Sequence, residues 1–178
     1  DPYWFPHAFI YIGKLVSGLE KAFRSSKLFT SEKKQKLCGL LIWFSTVLIT
    51  AIITYFLVSL FARNVIMVLL GNAIIICICL STRCLGKEAK KVYYKLDDID
   101  EARVQLSYIV GRDTSNLSEE EIIRATVETV AENTVDGTIA PMMYAFIGGP
   151  ILSMVYKAVN TMDSMLGYKN ERFINIGM

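Results

Sequence analysis

The sequence has little that could build a metal centre on histidine or cysteine. His7 is the only histidine, which excludes a histidine-built metal site, and a solitary histidine among prolines and aromatics is typical of a hydrogen-bonded structural group. The four cysteines form no CxxC pair, so we interpret them as small packing residues rather than zinc ligands or a disulfide scaffold. The GxxxxGKS/T, GxGxxG and GxSxG motifs are absent too, so the sequence lacks the common nucleotide-binding and hydrolase signatures.

Charge is missing from two long stretches, residues 37–62 and 64–82. Each meets the requirement of about 20 apolar residues for a membrane-spanning helix. Only Arg63 lies between them, and Asn64 opens the second stretch, so the pattern predicts a tight transmembrane hairpin. The alternative is two buried helices of a soluble core, but charge-free runs of this length are rare there. A hydrophobic content of 53% also favours a membrane protein.

Basic residues flank this hairpin on both sides. Before it stand Lys14, Lys21, Arg24, Lys27, Lys33, Lys34 and Lys36, and after it Arg83, Lys87, Lys90, Lys91 and Lys95. The positive-inside bias therefore predicts that both flanks are cytoplasmic. We find no basic groove interleaved with aromatics, so the net charge of +2 indicates orientation and not nucleic-acid binding.

Helix signals divide the remainder of the chain. An amphipathic helix is predicted from about Ile10 to Phe23, and residues 86–110 are charged and helix-favouring, with one approximate apolar face. Ser118 and Glu121 form a capping box, which predicts a helix from about residue 119 to 133 that Gly137 ends. We expect residues 86–136 to be a cytoplasmic helical segment.

Residues 137–156 are apolar and long enough to span a membrane, but Pro141 and the Gly148-Gly149-Pro150 run interrupt them. Two half-helices that meet at this run fit better than one straight helix. A full span would place the flanking polar motifs on opposite sides of the bilayer, whereas a re-entrant pair over 137–166 returns both to the cytoplasm. The expected fold is thus an all-α, polytopic membrane protein, forming a single domain over 1–178, with a transmembrane hairpin, cytoplasmic amphipathic helices and a broken re-entrant helix pair.

The first polar motif is AENTVDG, residues 131–137, in which acidic residues recur at every fourth position. Glu128, Glu132 and Asp136 would lie along one helix face and repel one another. We therefore expect a positive partner there: Arg124, a basic side chain from another element, or Mg²⁺ bridging to a phosphate. A solvated acidic face remains the alternative.

The second polar motif is NTMDSMLGYK, residues 160–169. Lys157, Asn160, Asp163 and Ser164 are interpreted as sharing one helix face that could hold an anion at the lysine end and a metal or amine at the aspartate end. Alternatively, Lys157 and Asp163 are interfacial charges that extend to water. In the GRDT sequence, either Arg112 pairs with Asp113 or Arg112 grips a phosphate.

Four stretches of the chain resemble the recurring motifs of the CobD/CbiB family, the adenosylcobinamide-phosphate synthases of cobalamin biosynthesis. They are DPYWFPH, IVGRDTSNLS, RATVETVAENTVDGTIAPMMYAFIGG and YKAVNTMDSMLGYKNERF, in that order. The likeness runs from residue 1 to about residue 176. Ala8 stands where the family usually has a proline, and the family's preceding apolar segment and C-terminal portion are missing. We therefore expect a fragment, truncated at both ends.

This resemblance implies a multi-pass inner-membrane ligase. It would join (R)-1-amino-2-propanol phosphate, or ethanolamine phosphate, to the last free propionate of the corrinoid adenosylcobyric acid, using ATP and Mg²⁺. The implied partners are the corrinoid, the phosphoamine and membrane lipid, with a homo-oligomer or a complex with other cobalamin-pathway proteins as further options.

Three groups of residues are candidates for this chemistry. The candidate metal ligands are Glu128, Glu132 and Asp136. The candidate catalytic residues, which would bind the metal, position oxygens or take the ammonium proton, are Glu132, Asn133, Asp136, Asn160 and Asp163. The candidate substrate-binding residues, among which the cations would hold phosphate, are His7, Arg112, Asp113, Lys157 and Lys169.

Two other functions remain open. Acidic motifs beside broken membrane helices also serve Mg²⁺-dependent transferases that act on lipid pyrophosphates, although paired DDxxD clusters would be expected there. A non-enzymatic membrane sensor, similar to the AmpE-type signalling proteins, would use the acidic residues as a structural network. Corrinoid binding would distinguish the synthase from the sensor.

Overall fold

The computed structural model describes residues 8–25, 31–80, 83–168 and 173–177, and the regular structure among them is helical throughout. The elements are α1 (Ala8–Arg24), α2 (Glu32–Leu60), α3 (Val65–Cys79), α4 (Arg83–Tyr93), α5 (Ile99–Ser107), α6 (Glu119–Thr134), a π-helical turn (Val135–Ile139) and α7 (Ala140–Leu166). The all-α prediction is confirmed.

The chain divides into two compact units. The polar unit comprises Leu80–Ala140, and the apolar unit comprises the described parts of Tyr3–Cys79 and Pro141–Met178. Whether they act as the single domain expected over 1–178 stays a prediction.

The core of the apolar unit gathers one face each of α1, α2, α3 and the second half of α7. Its buried members are Ile12, Val16, Ile42, Ile75, Cys79, Met154, Ala158, Met162, Leu166 and Ile176. Leu19 and Phe23 pack against them, so the predicted apolar face of α1 is confirmed. On α2 the buried residues form a single stripe, and large apolar side chains such as Trp43 and Phe56 are exposed. An apolar exterior of this kind is suited to lipid.

The predicted hairpin has unequal arms. By length and composition, two helical stretches of the described chain could cross a bilayer, Glu32–Leu60 and Glu119–Leu166. By contrast, α3 has 15 residues, so it is about 22 Å long, short of the hydrocarbon thickness. The helix is shorter than the predicted span over 64–82. Asn64 lies outside it and caps it, accepting a hydrogen bond from the Met67 N–H at 2.9 Å, and Leu80 is non-helical. Residues 81–82 lie outside the described residues.

The backbone of α7 breaks at two adjacent glycines. Gly148 (φ −139°, ψ 23°) and Gly149 (φ 64°, ψ −158°) are both non-helical, and Pro150 follows. Across the break, the Tyr144 and Tyr156 rings stack with centroids 4.9 Å apart. Twelve residues of straight helix would separate their Cα atoms by about 18 Å, so the two halves must bend toward each other. The predicted half-helices are confirmed, and their re-entry into a bilayer stays a prediction.

The polar unit is a small assembly of α4, α5 and α6 around Val92, Ala102, Leu106, Ile122 and Ala125. Side chains cap two of its helices. Asp98 caps α5, and the Ser118–Glu121 capping box starts α6 as predicted. The single apolar face expected over 86–110 was wrong, because a turn separates α4 from α5, and Val104 lies on a different face of α5 from the buried Ala102 and is 55% exposed.

Gly137 does not end α6, which corrects the prediction. A glycine ends a helix when it takes a positive φ, and among the described residues only Gly149 does so. Gly137 is instead buried inside the π-helical turn, where the Ala140 N–H donates to the Val135 carbonyl. The chain therefore stays helical from α6 into α7.

Candidate functional site

The AENTVDG motif runs from the end of α6 into the first three residues of the π-helical turn. Such turns are rare and occur frequently at functional sites. Asp136 is half-buried there, and the Thr138 hydroxyl oxygen is buried with no hydrogen-bond partner in the described part of the chain. Sequence reasoning missed Thr138, because a threonine after glycine carries no local signal that it will be left without a partner.

The acidic row, which consists of Glu128, Glu132 and Asp136, is not uniformly exposed to solvent. Glu128 and Glu132 are exposed, unlike Asp136. Over the described residues, no three His, Cys, Asp or Glu side chains lie close enough to hold one ion. The metal assignment to these three residues stays a prediction. Asn133, also proposed for the site, donates its side-chain amide to the Thr129 carbonyl at 2.9 Å, so its carboxamide oxygen is the atom left for a ligand.

A positive partner for the acidic row comes from the preceding loop. Arg112 Nη2 lies 3.6 Å from Glu128 Oε2, which fits the expectation of a basic side chain from another element. Both side chains are more than half exposed, so the pair contributes little to stability. The pair does hold the Arg112 guanidinium beside the acidic face.

Asp113 does not pair with Arg112 as one alternative proposed. Its carboxylate accepts hydrogen bonds from the Ser115 N–H at 3.0 Å and the Ser115 hydroxyl at 2.8 Å. Donation from the Ser115 backbone, followed by that from its hydroxyl, lowers the pKa of Asp113. Asp113 thus shapes the loop that carries Arg112.

In the apolar unit, a cleft of about 400 Å³ separates α1 from the second half of α7. One wall is apolar, from Phe9, Ile10 and Gly13 of α1 together with Met165. The other wall is polar: Lys157, Asn160, Thr161 and Ser164. Thr161 and the α1 wall were missed from the sequence, because only the tertiary fold brings α1 to this face.

Lys157 is the unusual member of this cleft, because its side chain is buried at 7% exposure. The alternative of an interfacial lysine extending to water is therefore wrong. Lys157 brings a positive charge to the polar wall of the cleft, which makes the cleft suited to an anion.

Asp163 does not share the face of Lys157, which corrects the prediction. Six residues of helix turn through about 600°, so the two side chains diverge by about 120°. Asp163 instead lines a smaller cavity of about 160 Å³ with Trp43 of α2 and with Gly177. The predicted set therefore divides into a cationic cleft and a separate cavity with one carboxylate.

Two candidates, His7 and Lys169, lie outside the described residues. The remaining ones fall in both units: Arg112, Asp113, Glu128, Glu132, Asn133 and Asp136 belong to the polar unit, and Lys157, Asn160 and Asp163 to the apolar unit. Within the units, the structure brings together Arg112 with Glu128 and Lys157 with Asn160.

Comparison with known proteins gives a consistent result. A family model described as CobD/Cbib protein matches residues 1–178. The chain is 52% identical over 180 residues to a protein of Clostridium tetani named cobalamin biosynthesis protein CobD, covering 99% of this chain and 56% of the relative. The protein of the same name from Citrobacter koseri is 41% identical, with 100% of this chain and 56% of the relative covered. No solved structure matches. The chain thus spans about half the length of these curated relatives.

Proposed function

The chain belongs to the CobD/CbiB family, and from that premise we propose that it acts in cobalamin biosynthesis as an adenosylcobinamide-phosphate synthase. The reaction would form an amide between a carboxylate of adenosylcobyric acid and the amine of (R)-1-amino-2-propanol phosphate or ethanolamine phosphate. ATP would supply the activation that a free carboxylate needs. The protein would be a multi-pass membrane enzyme with both polar motifs facing the cytoplasm.

The observation that carries this proposal is the cleft between α1 and α7. It combines a buried ammonium on Lys157, the amide of Asn160 and an apolar opposite wall. A phosphoamine has the matching parts, a phosphate dianion and a short carbon chain. The polar wall of the cleft lies in the YKAVNTMDSMLGYK stretch through which the chain resembles its family.

The acidic row could supply part of the ligand shell of Mg²⁺. Mg²⁺ is usually bound through one or two carboxylates, with phosphate oxygens and water completing its shell. Glu132 and Asp136, with Glu128 in support, could supply carboxylates of that kind, and the Asn133 amide oxygen could orient a ligand. When bound, the ion would shield phosphate charge during acyl activation. Arg112, held beside Glu128, is placed to add a second positive charge.

The divergence of Lys157 and Asp163 limits how one phosphoamine can bind. The molecule is short, so a phosphate held at Lys157 keeps the amine on the same side of α7. Asn160, Thr161 and Ser164 are then the polar neighbours of that amine within the cleft. The proposed role of Asp163 as the acceptor of the ammonium proton would require the amine to approach from the other cavity.

The test is direct synthesis by the full chain in detergent or nanodiscs. Adenosylcobyric acid, ATP and Mg²⁺ are supplied with each phosphoamine separately, and the amide product is measured by mass spectrometry. We expect product with at least one phosphoamine. Absence of product with both, together with no corrinoid-dependent shift in thermal stability, would contradict the synthase and favour the AmpE-like sensor. Turnover of a lipid pyrophosphate instead would favour the transferase.

A further inference from the structure

The polar side chains on the second half of α7 form a row that leads from the surface into the protein. Ser164 is exposed, Asn160 and Thr161 are half-buried, Lys157 is 7% exposed, and Ser153 is fully buried. Ser153 and Lys157 are four residues apart, so they lie on the same helix face. The polar wall of the cleft ends at Lys157, and Ser153 lies one helical turn further along the same face, deeper in the protein.

Packing alone does not account for a buried hydroxyl at Ser153. Its hydroxyl oxygen is buried and has no partner with hydrogen-bond geometry among the described residues. The Cys79 thiol is within hydrogen-bonding reach of Ser153, but a thiol is a weak partner. A buried hydroxyl without a good partner destabilises the fold, so such a group calls for a ligand or a function.

Positive charge converges on the same turn. The second half of α7 begins after the break, with Pro150 as its first residue, so the positive end of its helix dipole lies beside Ser153. Lysine side chains on a helix lean toward its N-terminus, which directs Lys157 toward this turn. The ammonium is close enough to act electrostatically on Cys79. Ammonium, hydroxyl and dipole together favour an anion.

We propose that the phosphoamine binds this cleft with its phosphate inward, held by Lys157 and Ser153, and with its amine directed outward toward Asn160 and Ser164. This assignment rests on the proposed function and adds Ser153 as a phosphate-contacting residue. The short carbon chain would lie along the apolar wall of Phe9, Ile10 and Gly13. The amine then meets the corrinoid carboxylate at the open end of the cleft, and the bulky corrinoid does not have to enter.

Binding of inorganic phosphate to the full chain in detergent, measured by calorimetry without ATP or corrinoid, tests the inward end. We expect Lys157→Met to abolish binding and Ser153→Ala to weaken it about tenfold. Thr46→Val is the matched control, because Thr46 is another fully buried hydroxyl without a partner in the described apolar unit. It should leave phosphate affinity unchanged.

The result for Ser153→Ala separates binding from structure. Loss of an unsatisfied buried hydroxyl should leave thermal stability unchanged or raise it. Weaker phosphate binding in a protein of undiminished stability therefore supports the proposal. Unchanged phosphate affinity in both Ser153→Ala and Lys157→Met would overturn it.

The outward end is tested by comparing ligands. We expect phosphoethanolamine to bind more tightly than phosphate, and ethanolamine alone to bind far more weakly. Asn160→Ala should reduce affinity for phosphoethanolamine several-fold while affinity for inorganic phosphate is kept. The opposite pattern, in which Asn160→Ala weakens phosphate as much as phosphoethanolamine, would overturn the orientation.

Two further experiments test whether the bound phosphate belongs to a lipid or to a soluble molecule, and whether the site and the synthase activity stand or fall separately. The occupant is a lipid, and the proposal is overturned, if phosphatidic acid in nanodiscs raises the thermal stability of the protein and soluble phosphoethanolamine does not bind. Amide synthesis that survives in Lys157→Met would also overturn it while leaving the proposed function standing. Phosphoethanolamine binding with the expected variant pattern, without amide product, would support the site and contradict the synthase.

Discussion

The two units of this chain keep their shape by different means. In the polar unit, ion pairs such as Lys91–Glu88 at 2.6 Å and Arg103–Asp100 at 2.9 Å cover a core of five buried apolar residues. In the apolar unit, helices and the 173–177 segment approach at glycines. A Cβ on Gly39 would overlap the Ile176 carbonyl, and one on Gly71 would come within 2.6 Å of the Phe61 ring.

A difference of this kind is expected where one unit folds in water and the other in lipid. Capped helix ends and charged surfaces satisfy backbone and side-chain polarity in water. Small residues at close contacts, with large apolar side chains pointing outward, are the arrangement that stabilises helices in lipid, where no hydrophobic force drives them together. The comparison predicts that the apolar unit loses stability most when its close helix contacts are disturbed. The polar unit should lose stability when its helix caps are removed.

The largest effect is expected at the acidic row of the polar unit. Asp136→Ala should lower kcat/KM for amide synthesis by at least about a hundredfold, because a carboxylate proposed for Mg²⁺ is removed. Glu120→Ala is the matched control, since Glu120 is an exposed carboxylate at the other end of the same helix. Steady-state kinetics and circular dichroism check both variants. Undiminished turnover in Asp136→Ala would remove this residue from the site.

Next in size is the packing of the apolar unit. Gly39→Ala should destabilise the protein by about 1–3 kcal/mol, because the new methyl meets backbone that cannot move aside easily. In Gly18→Ala, on α1, the methyl meets nothing within 4 Å, so better helix propensity should leave stability equal or higher. Thermal unfolding in detergent measures both. Equal melting temperatures for the two variants would show that the close approach at Gly39 is not limiting.

A smaller effect is expected at the capping box of the polar unit. Ser118→Ala should cost about 1 kcal/mol, since it removes the acceptor for the Glu121 N–H. Hydrogen exchange of the α6 amides in the full chain should accelerate in the first turn. Ser107→Ala serves as the control, because that hydroxyl only donates to the Val104 carbonyl of its own helix. Acceleration in both variants to the same extent would argue against the cap.

The smallest effect is a pH dependence at Asp113. Donation by Ser115 lowers its pKa in the folded protein, so this stabilisation is present above the pKa of about 3.9 of an unfolded aspartate. It is lost as the pH falls through the lowered folded value. Carboxyl NMR titration should find the pKa of Asp113 below the ordinary range. Ser115→Ala keeps the backbone donor, so the pKa should rise only part of the way; a value that does not move would exclude the hydroxyl.

Local signals in the sequence were sufficient for much of the fold. The capping box at Ser118, the long charge-free run of α2 and the break at Gly148-Gly149-Pro150 each depend on neighbouring residues, so they could be predicted without tertiary contacts. The face of Asp163 was predictable as well. Helix geometry alone places a residue six positions on from Lys157 on a different side, and the prediction overlooked this.

Other features depend on contacts that the sequence does not specify. The π-helical turn at Val135–Ile139 has no local pattern of its own. The approach of α1 to Lys157 and the insertion of Ile176 against Gly39 join positions far apart in the chain. The partner of Arg112 is similarly distant, because Glu128 lies more than four helical turns further along the sequence. Such pairings follow from packing, which periodicity cannot supply.

The break at Gly149 has a consequence for protein chemistry. An L-alanine Cβ there would meet no atom within 4 Å, so space does not exclude a side chain; the positive φ does. For a D-amino acid, the same backbone angles are the mirror counterpart of the relaxed polyproline conformation. Semisynthesis with D-alanine would therefore stiffen the bend without backbone strain. L-alanine would strain the same backbone angles and so oppose the bend across which the Tyr144 and Tyr156 rings stack.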